Sequence, residues 1–231
     1  MNVLGFDTST AATAACVLRA DGRAFELEPP PEALTAPPAH ARELMPAVVG
    51  VLEQSGLDPS DLDAIAVGVG PGTFTGLRIG VASARALAHG WGLELRPVSS
   101  LAALAAGATC AGSDDPAPAH GAVLAVIDAR RGEVFAALFE DGAQRWPPFA
   151  AAPDAVATRV ADAGLKPLAV GDGSVRFRHV LEAVAARVAP DGSRAHVVRG
   201  LSICRLAGDV SPAPPEAVLP DYLRSPDAKP R

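Results

Sequence analysis

A glycine-rich stretch, GVGPGTFTGLRIG at residues 68–80, limits what this chain can fold into more than any other feature. It follows the apolar run AIAVGV at 64–69, which predicts a buried strand, and it leads into a helical pattern from about Thr75 to His89 that ends at Gly90. Backbone N–H groups at such a strand-to-helix junction can bind a phosphate. The same glycines could instead only permit a sharp turn, so the stretch itself leaves both interpretations open.

The stretch matches neither of the two common phosphate-binding patterns. A P-loop carries a lysine directly after its last glycine, whereas the first charge after Gly76 is Arg78. A dinucleotide-binding turn needs a third glycine at the position where this chain has Thr73. The residues alone therefore slightly favour a packing role.

Two predicted helices carry more small and apolar residues than one core requires. Small residues recur every four positions along the helix after the glycines and share one face: Gly76, Gly80, Ala84 and Ala88. Another helix is predicted over residues 39–54 with Gly56 as its stop, although Pro46 allows a start near Leu44. One side of each helix must pack on the lobe's own sheet, and the surplus indicates a protein interface.

The rest of the chain reads as two α/β lobes, each opened by a β-hairpin. The predicted strands are 3–6, 12–18, 23–27, 64–69, 93–98, 122–128, 133–139, 166–170 and 195–198. Further helices are predicted after Ser99, over 153–163 and 175–188, and near 202–210. The segment 112–121, rich in proline, glycine and acids, is the predicted boundary. We predict a first lobe over 1–110, completed by 202–231, and a smaller second lobe over 111–201.

Acidic turns at the ends of two predicted strands allow an enzymatic alternative. Asp7, followed by Thr8 and Ser9, could lie beside a metal-bound phosphate, and Asp172 in GDGS could be its counterpart in the second lobe. The alternative function is an ATPase or small-molecule kinase that holds Mg-ATP between these two carboxylates. Asp, Thr and Ser also favour plain hydrogen-bonded turns. The segment Asp128-Ala129-Arg130 is either a local ion pair or a polar surface for a ligand.

Composition and missing motifs disfavour several other classes. A formal charge of -6 without any Lys/Arg run disfavours unaided RNA binding. No apolar run approaches the roughly 20 residues of a membrane helix, and the N-terminus does not resemble a signal peptide. Three scattered cysteines suggest a reducing cytoplasm. The histidines form no H-x-x-x-H pair and no serine lies in G-x-S-x-G, so a metallopeptidase or a triad hydrolase is poorly supported.

Four short segments, in one order, carry a family resemblance: DTST at 7–10, GPGTFTGLRIG at 70–80, IDARRGEVF at 127–135 and PDYLR at 220–224. They resemble the bacterial TsaB family of tRNA threonylcarbamoyladenosine biosynthesis proteins, and HARELMPAV at 40–48 resembles that family's first long helix. The resemblance implies an α/β fold of two actin-like (ribonuclease H-like, sugar-kinase-like) lobes. Each lobe would be a mixed sheet opened by a β-hairpin and flanked by helices.

The resemblance also implies a function. It is that of a non-catalytic subunit that binds and activates TsaD, which transfers threonylcarbamoyl to the adenosine beside the anticodon of tRNAs. TsaD carries a metal-binding H-x-x-x-H pair, and the comparable segment here, PVSSLAALA at 97–105, has no histidine. The implied partners are TsaD in a heterodimer, the ATPase TsaE, a second copy of the chain when alone, and tRNA only through the complex. No cofactor of its own is expected, apart from a nucleotide at the interface of the complex.

The resemblance assigns residues to these roles. The helices matching 39–54 and 76–89 form the expected dimer surface: His40, Leu44, Val48, Val51, Gly76, Leu77, Arg78, Gly80, Val81, Ala84 and Arg85. A remnant of an ancestral nucleotide site is expected at Asp7, Thr8, Ser9, Gly70, Gly72 and Thr73. No catalytic or metal-binding residue is expected.

Overall fold

The computed structural model describes residues 1–109, 121–184 and 186–224. The strands are β1 Val3–Asp7, β2 Ala14–Leu18, β3 Ala24–Leu27, β4 Ala64–Gly70, β5 Glu94–Ser99, β6 Ala122–Arg130, β7 Glu133–Glu140, β8 Ala143–Ala151, β9 Leu168–Val170 and β10 Arg187–Val188. The α-helices are α1 His40–Ser55, α2 Phe74–Trp91, α3 Ser100–Thr109, α4 Pro153–Asp162, α5 Asp172–Arg176, α6 Arg178–Glu182 and α7 Gly200–Leu206. None of these helices combines the length and the apolar character needed to cross a membrane.

The strands form two sheets with the same topology. The first has the order β3-β2-β1-β4-β5, in which β1 pairs antiparallel with β2 and parallel with β4. The second, read from the opposite edge, is β8-β7-β6-β9-β10, and β6 has the same relation to β7 and β9. The predicted α/β architecture with two mixed sheets opened by hairpins is therefore confirmed. The predicted lobe boundary falls largely on residues 110–120, outside the described residues, and stays a prediction.

Helices cover both faces of the first sheet, so every residue of β1 is buried. On one face, α1 and α2 pack against a cluster that contains Leu4 and Phe6. On the other face, α7 and α3 contribute to a cluster that also contains residues of the second sheet, such as Ile127. This arrangement places α1 and α2 on the outside of the molecule.

Several predicted elements differ from the observed ones. α1 begins at His40 and continues through Pro46, and α2 runs to Trp91, where Gly92 and not Gly90 takes the left-handed conformation. The predicted helix 175–188 is two short helices, α5 and α6, followed by β10. The predicted strand 195–198 is a 3-10 turn at Arg194–His196 followed by irregular chain. Strand β8 was not predicted.

The chain after α7 lies along the first lobe. The Ala213 N–H donates to the Leu95 carbonyl of β5 at 2.8 Å, and the Asp221 N–H donates to the Val69 carbonyl of β4 at 2.7 Å. Arg224 then reaches Glu133 of the second lobe, with 3.1 Å between Nη1 and Oε2. The segment 221–224 therefore bridges the two lobes.

Candidate functional site

The turn that follows β1 lies directly under the glycine-rich loop. A Cβ at position 76 would lie 2.0 Å from the Thr8 carbonyl oxygen, and one at position 72 would lie 2.4 Å from the Ser9 carbonyl oxygen. The Thr73 N–H donates to that Ser9 oxygen at 2.7 Å, and the Thr8 hydroxyl donates to the Gly76 carbonyl at 2.8 Å. The glycines thus allow close packing inside this lobe, which answers the question that the sequence left open.

Asp7 lies beneath this packing and is only 1% exposed. Its Oδ1 accepts from the N–H and the hydroxyl of Ser9 at 2.8 and 2.6 Å, and its Oδ2 accepts from the Ser100 hydroxyl at 2.7 Å. Burial raises the pKa of Asp7, while the hydrogen bonds from Ser9 and Ser100 lower it. The six residues assigned to a nucleotide remnant are thus close together, but their carboxylate is closed off from solvent.

Most residues assigned to the dimer surface lie inside the lobe. Seven of their side chains are at most 3% exposed: His40, Leu44, Val48, Val51, Leu77, Val81 and Ala84. Gly80 faces the Thr8 hydroxyl, which would lie 2.4 Å from a Cβ at that position. Their apolar area is already covered by this chain, so the prediction that they make buried contacts with a second chain is corrected. Of the assigned residues, Arg78 is exposed and Arg85 is partly exposed.

Other residues form the solvent-facing side of α1 and α2, which we call the outer helix face. It consists of Ala41, Arg42, Met45, Val49, Glu53, Arg78, Ala82, Arg85, Ala86 and His89. Met45 and Val49 are 42% and 48% exposed, although they are large apolar residues within a helix. Arg42, Arg78 and Arg85 on this face, against Glu53 and the neighbouring exposed Glu43, leave one more positive than negative charge here in a chain whose formal charge is -6.

A cavity of about 460 Å³ lies where the glycine-rich loop, the β6–β7 turn and the C-terminal segment meet. Its walls are Gly72–Thr75, Asp128–Arg131, Phe135 and Asp221–Arg224. Three of the four segments that carry the sequence resemblance therefore converge here. One part of this wall is aromatic, which the sequence did not indicate. The centres of the Phe74 and Tyr222 rings lie 5.3 Å apart, and the Arg78 guanidinium lies 3.8 Å from the centre of the Phe74 ring.

The segment Asp128-Ala129-Arg130 is a local ion pair at a β-bulge. Asp128 is 5% exposed; its Oδ1 accepts the Arg130 N–H at 2.9 Å, and its Oδ2 accepts from Arg176 at 2.7 Å and from the Arg130 side chain at 3.2 Å. The register between β6 and β7 shifts here, and Arg130 and Arg131 have φ values of 65° and 55°. Asp128 thus holds the bulge that places both arginines in the cavity wall.

Asp172, the proposed counterpart of Asp7, is bound to backbone groups. Its Oδ1 accepts the N–H groups of Asp128 and Gly173 at 3.0 and 2.9 Å. Burial is the main cause that raises the pKa of Asp172 to about 6, and the nearby Asp128 carboxylate adds to it. Within the described residues, no group of three or more His, Cys, Asp or Glu side chains is arranged to hold a metal ion.

Comparison with known proteins gives a consistent family assignment. The family described as TsaD, tRNA N6-adenosine threonylcarbamoyltransferase, matches residues 31–178. An uncharacterized protein of Mycobacterium leprae is 36% identical over 99% of this chain and 56% of its own length. The Escherichia coli tRNA threonylcarbamoyladenosine biosynthesis protein TsaB is 38% identical over 61% of this chain and 55% of its own length. The matches to these two relatives thus span about half of their length.

The solved structures include one described as YeaZ from Pseudomonas aeruginosa. It superposes with a TM-score of 0.76 at 28% identity and covers 96% of this chain and 99% of its own. Another P. aeruginosa structure, described as a protein with similarity to peptidase YeaZ, gives a TM-score of 0.79 at 29% identity. These likenesses confirm the predicted actin-like fold class.

Proposed function

Since this chain belongs to the TsaD family and is similar to relatives named TsaB, we propose that it acts in tRNA threonylcarbamoyladenosine biosynthesis as a scaffold subunit that binds and activates TsaD. In this proposal the transfer reaction takes place on TsaD, and this chain is not the catalyst. TsaE joins the same cytoplasmic complex, tRNA is bound only through the complex, and any nucleotide lies at its interface.

One observation carries the proposal, namely the exposure of Met45 and Val49 at the centre of the outer helix face. Large apolar side chains left in water along a helix are typical of a surface that another protein covers. Arg42 and Arg85 on the same face form no ion pair within the described part of the chain. Unpaired arginines around an apolar centre suit an acidic partner surface. In the absence of TsaD, a second copy of this chain would use the same face.

The burial of Asp7 supports a non-catalytic role for this chain. A kinase of this architecture would need Asp7 at an open cleft, where it could act on a metal-bound phosphate. Here both oxygens of Asp7 accept hydrogen bonds from serines, and a Cβ at position 68 would lie 1.8 Å from its Oδ2. The residues that fill the space around Asp7 therefore count against the alternative of an Mg-ATP site shared with Asp172.

The substitution Val49→Asp tests the proposal. A carboxylate buried without a partner at the centre of an interface costs several kcal/mol, so we expect binding to TsaD to weaken about a hundredfold. Isothermal titration with purified TsaD measures the affinity. Ala161→Asp, at an exposed position of α4, is the matched control and should bind like the wild type. Equal affinity of the two variants would contradict the proposal.

A further inference from the structure

One end of the outer helix face carries a group of residues that we call the arginine–aromatic cluster: Phe74 and Arg78 of α2 and Tyr222 of the C-terminal segment. The centres of the two rings lie 5.3 Å apart, and the Arg78 guanidinium carbon lies 3.8 Å from the centre of the Phe74 ring. The Arg78 Nε donates to the Tyr222 hydroxyl oxygen at 3.0 Å. The segment PDYLR, which carries part of the family resemblance, thus supplies one of the three residues.

The cluster is held together but remains open to solvent. Phe74 is 41% exposed and Tyr222 is 38% exposed, whereas Trp146, over which Arg159 stacks at 4.4 Å, is only 8% exposed and belongs to a core cluster. Contacts of an arginine at an exposed site are weak, and holding this long side chain in one position costs conformational entropy of similar size. Stability therefore does not account for the fixed position of Arg78.

Arg78 offers hydrogen-bond donors that have no acceptor. Its Nε bonds to Tyr222, but among the described residues its two terminal amino groups have no carboxylate or carbonyl partner. Asp221, the acid next to Tyr222 in the chain, forms no ion pair with it. The parallel N–H groups of a guanidinium match two oxygens of one anion. The free side of Arg78 therefore fits a carboxylate or a phosphate.

The position of the cluster indicates that a protein supplies this anion. Phe74, Arg78, Ala82 and Ala86 are exposed and follow one another at intervals of four residues, so the cluster continues the outer helix face along α2. Tyrosine and arginine are enriched among the residues that dominate protein–protein binding, and aromatic residues are enriched at interfaces in general. The cluster thus has the composition of a binding centre within a protein interface.

The charges near the cluster disfavour a phosphate of RNA as the anion. Surfaces that bind RNA carry several positive charges, since each phosphate contact adds to the affinity. In the adjoining cavity wall, Arg130 pairs with Asp128, and Arg224 pairs with Glu133. The chain as a whole has a formal charge of -6. A carboxylate on a protein is therefore the better match to Arg78.

We propose that Arg78 pairs with the carboxylate of an aspartate or glutamate on the protein that docks on the outer helix face, and that Phe74 and Tyr222 position the guanidinium for this contact. The inference rests on the proposed function, because it takes TsaD as that protein. Fixing the guanidinium before binding lowers the conformational entropy that is lost when the complex forms. The docked protein would also cover the exposed parts of both rings.

The substitution Arg78→Lys tests the pairing with a carboxylate. Lysine keeps the charge but lacks the planar pair of N–H groups and the Nε donor, so we expect about tenfold weaker binding to RNA-free TsaD in isothermal titration. Arg159→Lys, which also replaces an exposed arginine over aromatic rings, is the matched control on α4 and should stay within about twofold of the wild type. Thermal unfolding verifies that both variants fold. Equal affinity of the two variants would overturn the inference, as would a loss that appears only when tRNA is added.

The substitution Tyr222→Phe tests the positioning role, because it removes the hydroxyl and keeps the ring. We expect about threefold weaker binding when Arg78 is present. In the Arg78→Ala background no guanidinium remains to be positioned, so the same change should have no further effect. No loss in the presence of Arg78, or an equal loss in both backgrounds, would contradict the positioning role of Tyr222.

The variant Val49→Asp in the same titrations separates this inference from the proposed function. If Val49→Asp weakens binding and Arg78→Lys does not, the scaffold proposal stands and the role assigned to Arg78 is wrong. If Val49→Asp also binds like the wild type, the scaffold proposal itself fails, and this inference fails with it.

Discussion

The first hairpins of the two lobes occupy equivalent places in their sheets, but the aspartates at their turns have different hydrogen-bond partners and different access to solvent. Asp7 ends β1 and Asp128 lies near the end of β6, each where the central strand turns back. Asp7 is held by neutral serine groups under the glycine-rich loop. Asp128 is held by Arg130 and Arg176, whose side chains are 57% and 50% exposed at the molecular surface. The same topology has thus produced one sealed turn and one charged, open turn.

This difference shows that one topology can give a tightly packed turn in one lobe and a solvent-facing turn in the other. In the first lobe, the glycines bring the start of α2 onto the turn after β1, and this packing fixes α2 beside α1 as a rigid outer surface. In the second lobe, a β-bulge exposes arginines beside a cavity. In the first lobe, Asp7 and the glycines above it contribute to this packing.

The largest expected effect comes from adding one methyl group to the sealed turn. In Gly76→Ala, the new Cβ would lie 2.0 Å from the backbone oxygen of Thr8, which cannot move without breaking the turn. We expect the free energy of unfolding to fall by about 3 kcal/mol. Gly90→Ala in the same helix meets no atom within 4 Å and should instead stabilise the protein by up to about 1 kcal/mol. Urea denaturation of both variants measures the contrast, and equal stabilities would show that the loop is not closely packed.

The second prediction compares the two aspartates directly. Asp7→Ala leaves buried hydroxyl and N–H groups without an acceptor, so we expect a loss of about 2–3 kcal/mol. Asp128→Ala breaks ion pairs with half-exposed arginines, which are worth about 1 kcal/mol or less. It also removes the acceptor of the Arg130 N–H, but Arg130 is an exposed residue, so we expect the total loss to stay below that of Asp7→Ala. Chemical denaturation followed by circular dichroism measures both losses. A larger loss in Asp128→Ala would reverse the assignment of sealed and open turns.

The third prediction concerns Asp172 and depends on pH. The pKa of Asp172 is raised from 3.8 to about 6. Between these two pH values the Asp172 carboxyl is therefore protonated in the folded protein and ionised in the unfolded chain. This group therefore makes folding less favourable as the pH rises from about 4 to 6, and the penalty persists above that range.

Asp172→Asn removes this charge but keeps an oxygen that can accept from the backbone. We expect the variant to be more stable than the wild type by about 1–2 kcal/mol at pH 7, with the difference shrinking as the pH falls toward 4. Thermal unfolding at pH 7 and pH 4.5 gives the comparison. A constant difference between the two proteins at both pH values would contradict the raised pKa.

Much of the fold could be predicted from local patterns. Gly56 was predicted to end α1, and it takes the left-handed conformation there with φ 66°. The hairpins and the resulting two-sheet architecture also followed from turn residues between apolar runs. Strand β8 was not predicted because it contains Pro147 and Pro148, which have no backbone N–H to donate. A strand at the edge of a sheet, such as β8, tolerates the loss of these donors.

The sequence led to the same two helices that carry the proposed docking surface, but it did not indicate which side of them faces solvent. Leu44, Val48 and Val51 show the spacing of one helix face, and spacing alone does not say whether that face meets the chain's own sheet or another protein. Met45 and Val49 are one position further along, about 100° around the helix. Similarly, the strip of small residues starting at Gly76 faces the turn after β1, a contact between distant parts of the sequence that periodicity does not report.

Amide hydrogen exchange of this chain, alone and bound to TsaD, tests the central claim most directly. We predict that binding slows exchange in residues 40–55 and 74–91, which form α1 and α2, and leaves residues 128–133 at the open turn unchanged. Slower exchange confined to 128–133, with α1 and α2 unaffected, would contradict the claim that the outer helix face is the docking surface.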